Sequence, residues 1–265
     1  TLSAANYSFQ TGTSANFTIT QKAASVTPDA KSKVYGAADP ALTGSLVGFL
    51  AADSVSATYS RTAGESVAGS PYTISASLAP AGVLANYDIT YNTANFTITK
   101  KQLAVNAVAS SKTYGAADPA FTWTFSGFEF GDNAGNVAIT GLASCSRTAG
   151  ETVAGSPYAI TCAPGTLSAA NYSFQTGTSA NFTINKKAAS VSPDAKSKVY
   201  GAADPAFTGS LVGFLAADNV TASYSRTAGE SVAGSPYTIS ASLAPAGVLG
   251  NYDITYNTAD FTITK

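Results

Sequence analysis

The chain is 265 residues long and 45% hydrophobic, yet only 11% of its residues are charged and its formal net charge is −1. It lacks the concentrated Lys and Arg that a phosphate backbone or an anionic lipid surface requires, which argues against both partners. It has no His, so the commonest general base and metal ligand is missing, and no apolar run approaches the roughly 18 residues that span a bilayer.

Residues 1–20 recur as residues 166–185, and the match continues until residues 1–100 have returned as 166–265 with nine substitutions. A shorter period lies inside the long one. Tyr-Gly-Ala-Ala-Asp-Pro-Ala begins at Tyr35, Tyr114 and Tyr200, and Ser-Arg-Thr-Ala-Gly-Glu begins at Ser60, Ser146 and Ser225. Asn-Tyr falls at Asn6, Asn86, Asn171 and Asn251. The expected organisation is a tandem array of three modules of about 80 residues, each large enough to fold alone. Module one is 21–100, module two 101–186 and module three 187–265. Residues 1–20 are the C-terminal stub of a preceding repeat of module two's type, so two module types alternate and the sequence reads as a piece cut from something longer. The stub places Tyr7, Phe9, Phe17 and Ile19 on strand-like segments but cannot build a core alone. It is expected to pair with a strand edge, either of module one or of a neighbouring chain, the latter giving strand-mediated self-association.

In module one the apolar period is two, the mark of strands with one buried face. Tyr72, Ile74, Ala76 and Leu78 share a side, Tyr87, Ile89 and Tyr91 repeat the pattern, and so do Phe96 and Ile98. Turn signals separate these runs at Gly36–Pro40, Gly64, Gly69–Pro71 and Pro80–Gly82. The expectation is six or seven short strands, with room for a helical turn only within Leu46–Asp53. The Tyr35–Pro40 segment reads as a structural turn in which Asp39 bonds nearby backbone N–H groups. Arg61 and Glu65 form at most an exposed pair, worth about 0–1 kcal/mol.

Module two departs from its neighbours at linked positions. Cys145 aligns with Tyr59 and Tyr224, and Cys162 with Ala76 and Ala241. Both fall on predicted strands flanking the Arg147–Tyr158 connection, which suggests a cross-strand disulfide and hence an oxidising compartment. The Cys-x-x-Cys spacing of a redox pair is absent, and two thiols without His make a poor metal site. Trp123 aligns with Gly44 and Gly209. Two readings follow. Trading Tyr for Cys145 and Gly for Trp123 conserves core volume. Alternatively, Trp123 and Phe125 are ligand contacts that stack on a sugar ring, with the longer loop at 132–146 beside them. About seven extra residues sit in that loop, among them Asn133–Asn136; it is a candidate binding site or plain decoration.

Module three repeats module one. No Gly/Ser or Pro-rich spacer separates modules: Phe96-Thr97-Ile98-Thr99 runs through Lys100 and Lys101 into Leu103. Junctions this short predict an elongated, semi-rigid array, against the alternative of free rotation at each junction. Gly-rich phosphate loops, a Ser/His/Asp set, paired carboxylates in one cleft and a calcium loop near Asp132 all fail on residue type or spacing. No cofactor is expected. The Asn6-Tyr7-Ser8 and Asn16-Phe17-Thr18 glycosylation patterns read as chance in a Thr-rich chain. A Lys–Asn isopeptide crosslink lacks an identified acidic neighbour.

Four blocks in fixed order carry a resemblance. Val34-Tyr35-Gly36-Ala37-Ala38-Asp39-Pro40 is followed by Gly69-Ser70-Pro71-Tyr72-Thr73-Ile74, then by Asn86-Tyr87-Asp88-Ile89 and Asn95-Phe96-Thr97-Ile98-Thr99, and all recur in modules two and three with few changes. They resemble the MBG-type repeats, Tyr-Gly-X subtype, of large bacterial surface and secreted proteins. The resemblance implies mainly-β modules, either immunoglobulin-like sandwiches or β-grasp units with a short helix, strung along adhesin-like proteins outside the cell. It supplies no catalytic residues. The expected role is a non-enzymatic stalk that holds a binding domain away from the cell, with neighbouring repeats of the same chain as partners. The alternative is weak multivalent binding of glycan or host surface glycoprotein by the repeats themselves.

Overall fold

Alternating apolar residues condense into paired sheets in every repeat. The computed structural model describes residues 1–265. Module one contains seven strands: β1 (Lys22–Pro28), β2 (Lys31–Val34), β3 (Gly44–Val47), β4 (Ser56–Arg61), β5 (Tyr72–Ala79), β6 (Tyr87–Tyr91) and β7 (Ala94–Thr99). They form a three-stranded sheet, β3-β1-β6, and a four-stranded sheet, β2-β7-β5-β4. Module two repeats this with β8 (Lys101–Ala107), β9 (Ser110–Thr113), β10 (Trp123–Ser126), β11 (Ser144–Arg147), β12 (Tyr158–Ala163), β13 (Tyr172–Thr176) and β14 (Ala180–Asn185). Module three does so with β15 (Lys187–Pro193), β16 (Lys196–Val199), β17 (Gly209–Val212), β18 (Thr221–Arg226), β19 (Tyr237–Ala244), β20 (Tyr252–Tyr256) and β21 (Ala259–Thr264). The chain is mainly β and carries three tandem repeat modules, each with its own sheets.

Each module is a two-sheet sandwich. In module two, Val105 on one sheet packs with Ile160, Cys162, Phe182 and Ile184 on the other, all essentially buried. Burying each such aliphatic or aromatic side chain stabilises the fold by about 1.5–3 kcal/mol. The four-plus-three strand count is that of an immunoglobulin constant domain, but the pairing differs. The first strand runs parallel to the sixth (Lys22 opposite Tyr87), and the second runs parallel to the seventh (Lys31 opposite Phe96). No helix is long enough to serve as the body of a β-grasp. The 3-10 turn at Ala51–Asp53 falls where the sequence leaves room for it. The four-residue helices Ala81–Leu84 and Ala246–Leu249 lie where turn signals suggested only a turn. There Pro80 and Pro245 stand extended at the N-cap, and Val83 and Leu84 (Val248 and Leu249) turn their side chains partly inward.

The alternation on β5 and β7 appears as read: Ile74, Phe96 and Ile98 are buried. Tyr91, placed on the buried side of β6, is 52% exposed because it ends the strand. The stub expectation needs correction on one arm. Residues 1–20 form no strand on module one's edges; their sole bridge is internal, Ala4 to Tyr7, and every residue is exposed. The equivalent residues Tyr172, Phe182 and Ile184 are buried in module two, where β12 supplies the strand that β14 pairs with. The stub has no such partner.

The chain forms two compact units, Thr1–Lys101 and Gln102–Lys265. The second unit therefore holds modules two and three together.

Candidate functional site: the joint between modules two and three

The site begins with a charge cluster that the sequence reading treated as an exposed pair. Lys112 on β9, Asp118 in the Tyr114–Pro119 turn, Arg147 at the end of β11 and Glu151 beyond it converge in module two. Arg147 donates to both oxygens of Asp118, at 2.6 and 3.2 Å, and to the Gly150 carbonyl at 2.6 Å. Lys112 Nζ reaches Asp118 at 2.7 Å and Glu151 at 2.5 Å. The Arg147 guanidinium also lies 4.8 Å from the centroid of the buried Phe182 ring. Lys112 and Arg147 are only 5% and 7% exposed, so their charges persist because two carboxylates surround them. The same four residue types meet as Lys33, Asp39, Arg61 and Glu65 and as Lys198, Asp204, Arg226 and Glu230. Asp39 thus serves the cations of this cluster, not the turn's backbone as read from sequence.

Each cluster holds its members ionised. The Arg guanidinium, seconded by the Lys, lowers Asp39, Asp118 and Asp204 to about 2. Burial opposes the charge on Lys112, but its bonds to Asp118 and Glu151 prevail and raise its pKa. An ammonium in that state is no nucleophile, so the cluster is suited to holding a turn in place and not to forming an amide. The held turn is Tyr-Gly-Ala-Ala-Asp-Pro, and its first residue projects from the module's end.

That residue, Tyr114, is seated in module three. Its hydroxyl donates to the Asp218 carboxylate, 3.1 Å from each oxygen. Its ring meets Tyr252 edge-on at 5.4 Å. Tyr252 also donates to Asp218, and its oxygen accepts from the Leu215 N–H at 2.9 Å. Beside it, the Val153 N–H donates to Asn251 Oδ1 at 2.9 Å, and Asn251 is 6% exposed. Burial first, then the Asp218 hydrogen bond, raises both phenols, Tyr252 to about 12. Both therefore remain protonated donors at any ordinary pH. Gly115 completes the fit. It adopts φ +79°, and a Cβ there would lie 2.4 Å from Leu215 Cδ1. Both the backbone and the seat on Leu215 select glycine after the tyrosine.

The residues singled out from sequence lie elsewhere. Cys145 and Cys162 stand directly opposite on β11 and β12 and form a disulfide. Trp123 and Phe125 lie on the half-buried side of β10, against module two's core cluster. Phe125 also packs on Phe174, with ring centroids 5.6 Å apart. In modules one and three a Cβ on Gly44 or Gly209 would come 2.6 Å from the ring of Tyr59 or Tyr224. Those tyrosines cover the glycines. Module two has Cys145 in place of the tyrosine and Trp123 in place of the glycine, so the two exchanges offset each other in volume. The 132–146 loop satisfies its own polar groups: Asn133 N–H donates to Asn136 Oδ1 at 2.7 Å, and Gly135 N–H to Asn133 Oδ1 at 2.8 Å. Sequence reasoning missed Asp218, Tyr252 and Asn251 as joint residues and missed the four-charge cluster. The available signal was recurrence: each cluster residue returns in all three modules of a chain with few charges.

Sandwich modules repeated along the chain, two of them joined through a tyrosine turn within one compact unit, define a repeat protein. The model of the MBG domain, YGX type, matches the chain three times, at residues 24–97, 103–183 and 189–262, and the chain belongs to that family. No curated protein matches it. Among solved structures it is similar to Drosophila N-cadherin EC1-4, at 7% identity over 93% of this chain and 76% of that one, with a TM-score of 0.23. It is also similar to three N-terminal domains of the bacteriophage RB49 highly immunogenic outer capsid protein (Hoc), at 12% identity over 84% of this chain and 93% of that one, with a TM-score of 0.21.

Proposed function

We propose that these modules are spacers in a bacterial extracellular, adhesin-like protein, holding a binding domain away from the cell, and that they catalyse nothing. Tandem MBG repeats fit a repeat-containing surface protein. The Cys145–Cys162 disulfide supports an oxidising location outside the cytoplasm, and no helix is long and apolar enough to cross a membrane. The observation that carries the spacer reading is the seating of Tyr114 on Asp218 and Tyr252. A joint made of a buried ring, a carboxylate with two phenol donors and a backbone-to-Asn251 bond resists rotation, so each module adds reach. Binding of glycan through Trp123 and Phe125 is the weaker reading, since both side chains are engaged with the core.

Solution scattering tests the spacer. The whole chain should give a radius of gyration well above the about 18 Å of a compact globule of this length. Tyr114→Ala should broaden the distance distribution as modules two and three swing independently. A compact wild type, or a variant indistinguishable from it, would end the reading.

A further inference from the structure

Two supports of the joint lie in one hairpin, β11 to β12. Arg147, at the end of β11, fixes Asp118 and with it the Tyr114 turn, and Glu151 shares Lys112 with that same Asp118. Further along, the Val153 N–H donates to Asn251 Oδ1 of module three at 2.9 Å. The start of β12 ties this loop down. The Tyr158 hydroxyl donates to the Thr152 carbonyl at 3.0 Å and accepts from the Thr152 N–H at 3.1 Å. The hairpin loop thus steadies the tyrosine turn through Arg147 and reaches module three through Val153.

That hairpin is cut short in module two. β4 pairs with β5 along Ser56–Arg61, and β18 with β19 along Thr221–Arg226, whereas β11 pairs with β12 only along Ser144–Arg147. The ladder breaks beyond Ser144 because Pro164 has no N–H to give and Gly165 turns to φ +56°. The Thr166 N–H then donates to the Leu142 carbonyl at 2.9 Å, one residue out of step. β11 is also the edge of its sheet, bonded to β12 alone. The Cys145–Cys162 bridge sits within this short ladder, between the break and Arg147. Cys145 and Arg147 share the half-buried side of β11, and the covalent ring that the bridge closes contains Arg147, Glu151 and Val153.

We propose that the bridge is a positioning device for the joint, so that the stiffness between modules two and three depends on its oxidation state. The proposal rests on the joint reading above. Oxidised, the bridge holds the short ladder in register and the loop keeps both of its contacts. A dithiol reductant gives two electrons and two protons to the Sγ–Sγ bond, leaves two thiols and closes into its own cyclic disulfide. The core of module two, Val105, Ile160, Phe182 and Ile184, needs no bridge to stay packed. The edge strand then frays, Arg147 loses its fixed place, and the Tyr114 turn and the Val153 N–H slacken on module three.

Amide hydrogen exchange of the whole chain, read residue by residue by NMR with and without dithiothreitol, tests this. In the oxidised chain the Val153 N–H should be protected. Reduction should lower its protection by about tenfold. The Ala107 N–H, which bonds the Thr178 carbonyl at 2.9 Å on the other sheet, should keep its own. Cys145→Ala with Cys162→Ala should reproduce the reduced pattern, which covers a bridge that the reductant does not reach. Protection at Val153 unchanged in both would overturn the proposal. So would equal losses at Val153 and Ala107, which would make the bridge a stabiliser of the whole module and nothing more. Either result leaves the joint standing. A Val153 N–H that exchanges freely in the oxidised wild type would instead sink the joint reading and this proposal with it.

Discussion

At the residue scale the clearest lesson is a swap of volume. Tyr59 covers Gly44 in module one and Tyr224 covers Gly209 in module three, each ring 2.6 Å from where a Cβ would stand. Module two reverses the sizes with Cys145 and Trp123. Aligned positions alone suggested compensation, but only the packing shows that the ring and the glycine share one space. Module three offers the test. Gly209→Trp should overpack and Tyr224→Ala should leave a void, each costing about 1–3 kcal/mol. The double variant should recover part of the summed loss, because one ring fills the space of the other, while the 2.5 Å approach of a Cβ at position 209 to the Ser192 carbonyl oxygen persists. Urea midpoints read this directly, and simple additivity of the two losses would refute the shared space. The joint residues were less legible. Nothing local marks Asp218 as the acceptor of Tyr114, since the two lie in different modules and meet only when both have folded.

Among the elements, the charge cluster sets where the Tyr-Gly turn stands. It ties β9 to the end of β11 through Asp118, and the corresponding strands of the other modules likewise. The pH dependence follows from the depressed carboxylates. A native pKa of about 2 for Asp39, Asp118 and Asp204 lies below the unfolded value of about 3.9. The stabilisation is complete above the unfolded value and is lost as pH falls towards 2. Thermal midpoints should hold from pH 7 to about 5 and then fall steeply between about 4 and 2. Arg147→Met should flatten that fall for module two, whose unfolding the single Trp123 reports by fluorescence. An unchanged acid profile in the variant would show that the cluster does not govern it. Strand positions were readable because alternation is a local property. The partnering of Asp118 was not, because Arg147 lies 29 residues away.

For the whole molecule, repetition implies repeated mechanics with one exception. Modules one and three share nearly all their residues, whereas module two alone carries a crosslink between strands 17 residues apart. Single-molecule extension of the chain should show three unfolding events, two of them alike. Reduction should lengthen the module-two event by about 60 Å, the span of 17 extended residues, and leave the other two unchanged. Equal lengthening of all three, or none, would contradict the assignment of the bridge.

Family, module count, strand content and the cysteine pairing were all legible in the sequence, because repetition, period-two alternation and aligned exceptions are written along the chain itself. The choice of a sandwich over a β-grasp came from the tertiary structure, since parallel pairing of the first strand with the sixth joins residues more than sixty positions apart. The same holds for the joint. A tyrosine at the head of a turn looks like any other until the folded neighbour brings a carboxylate and a second ring to it, and proximity across a module boundary is a product of folding that no local pattern encodes.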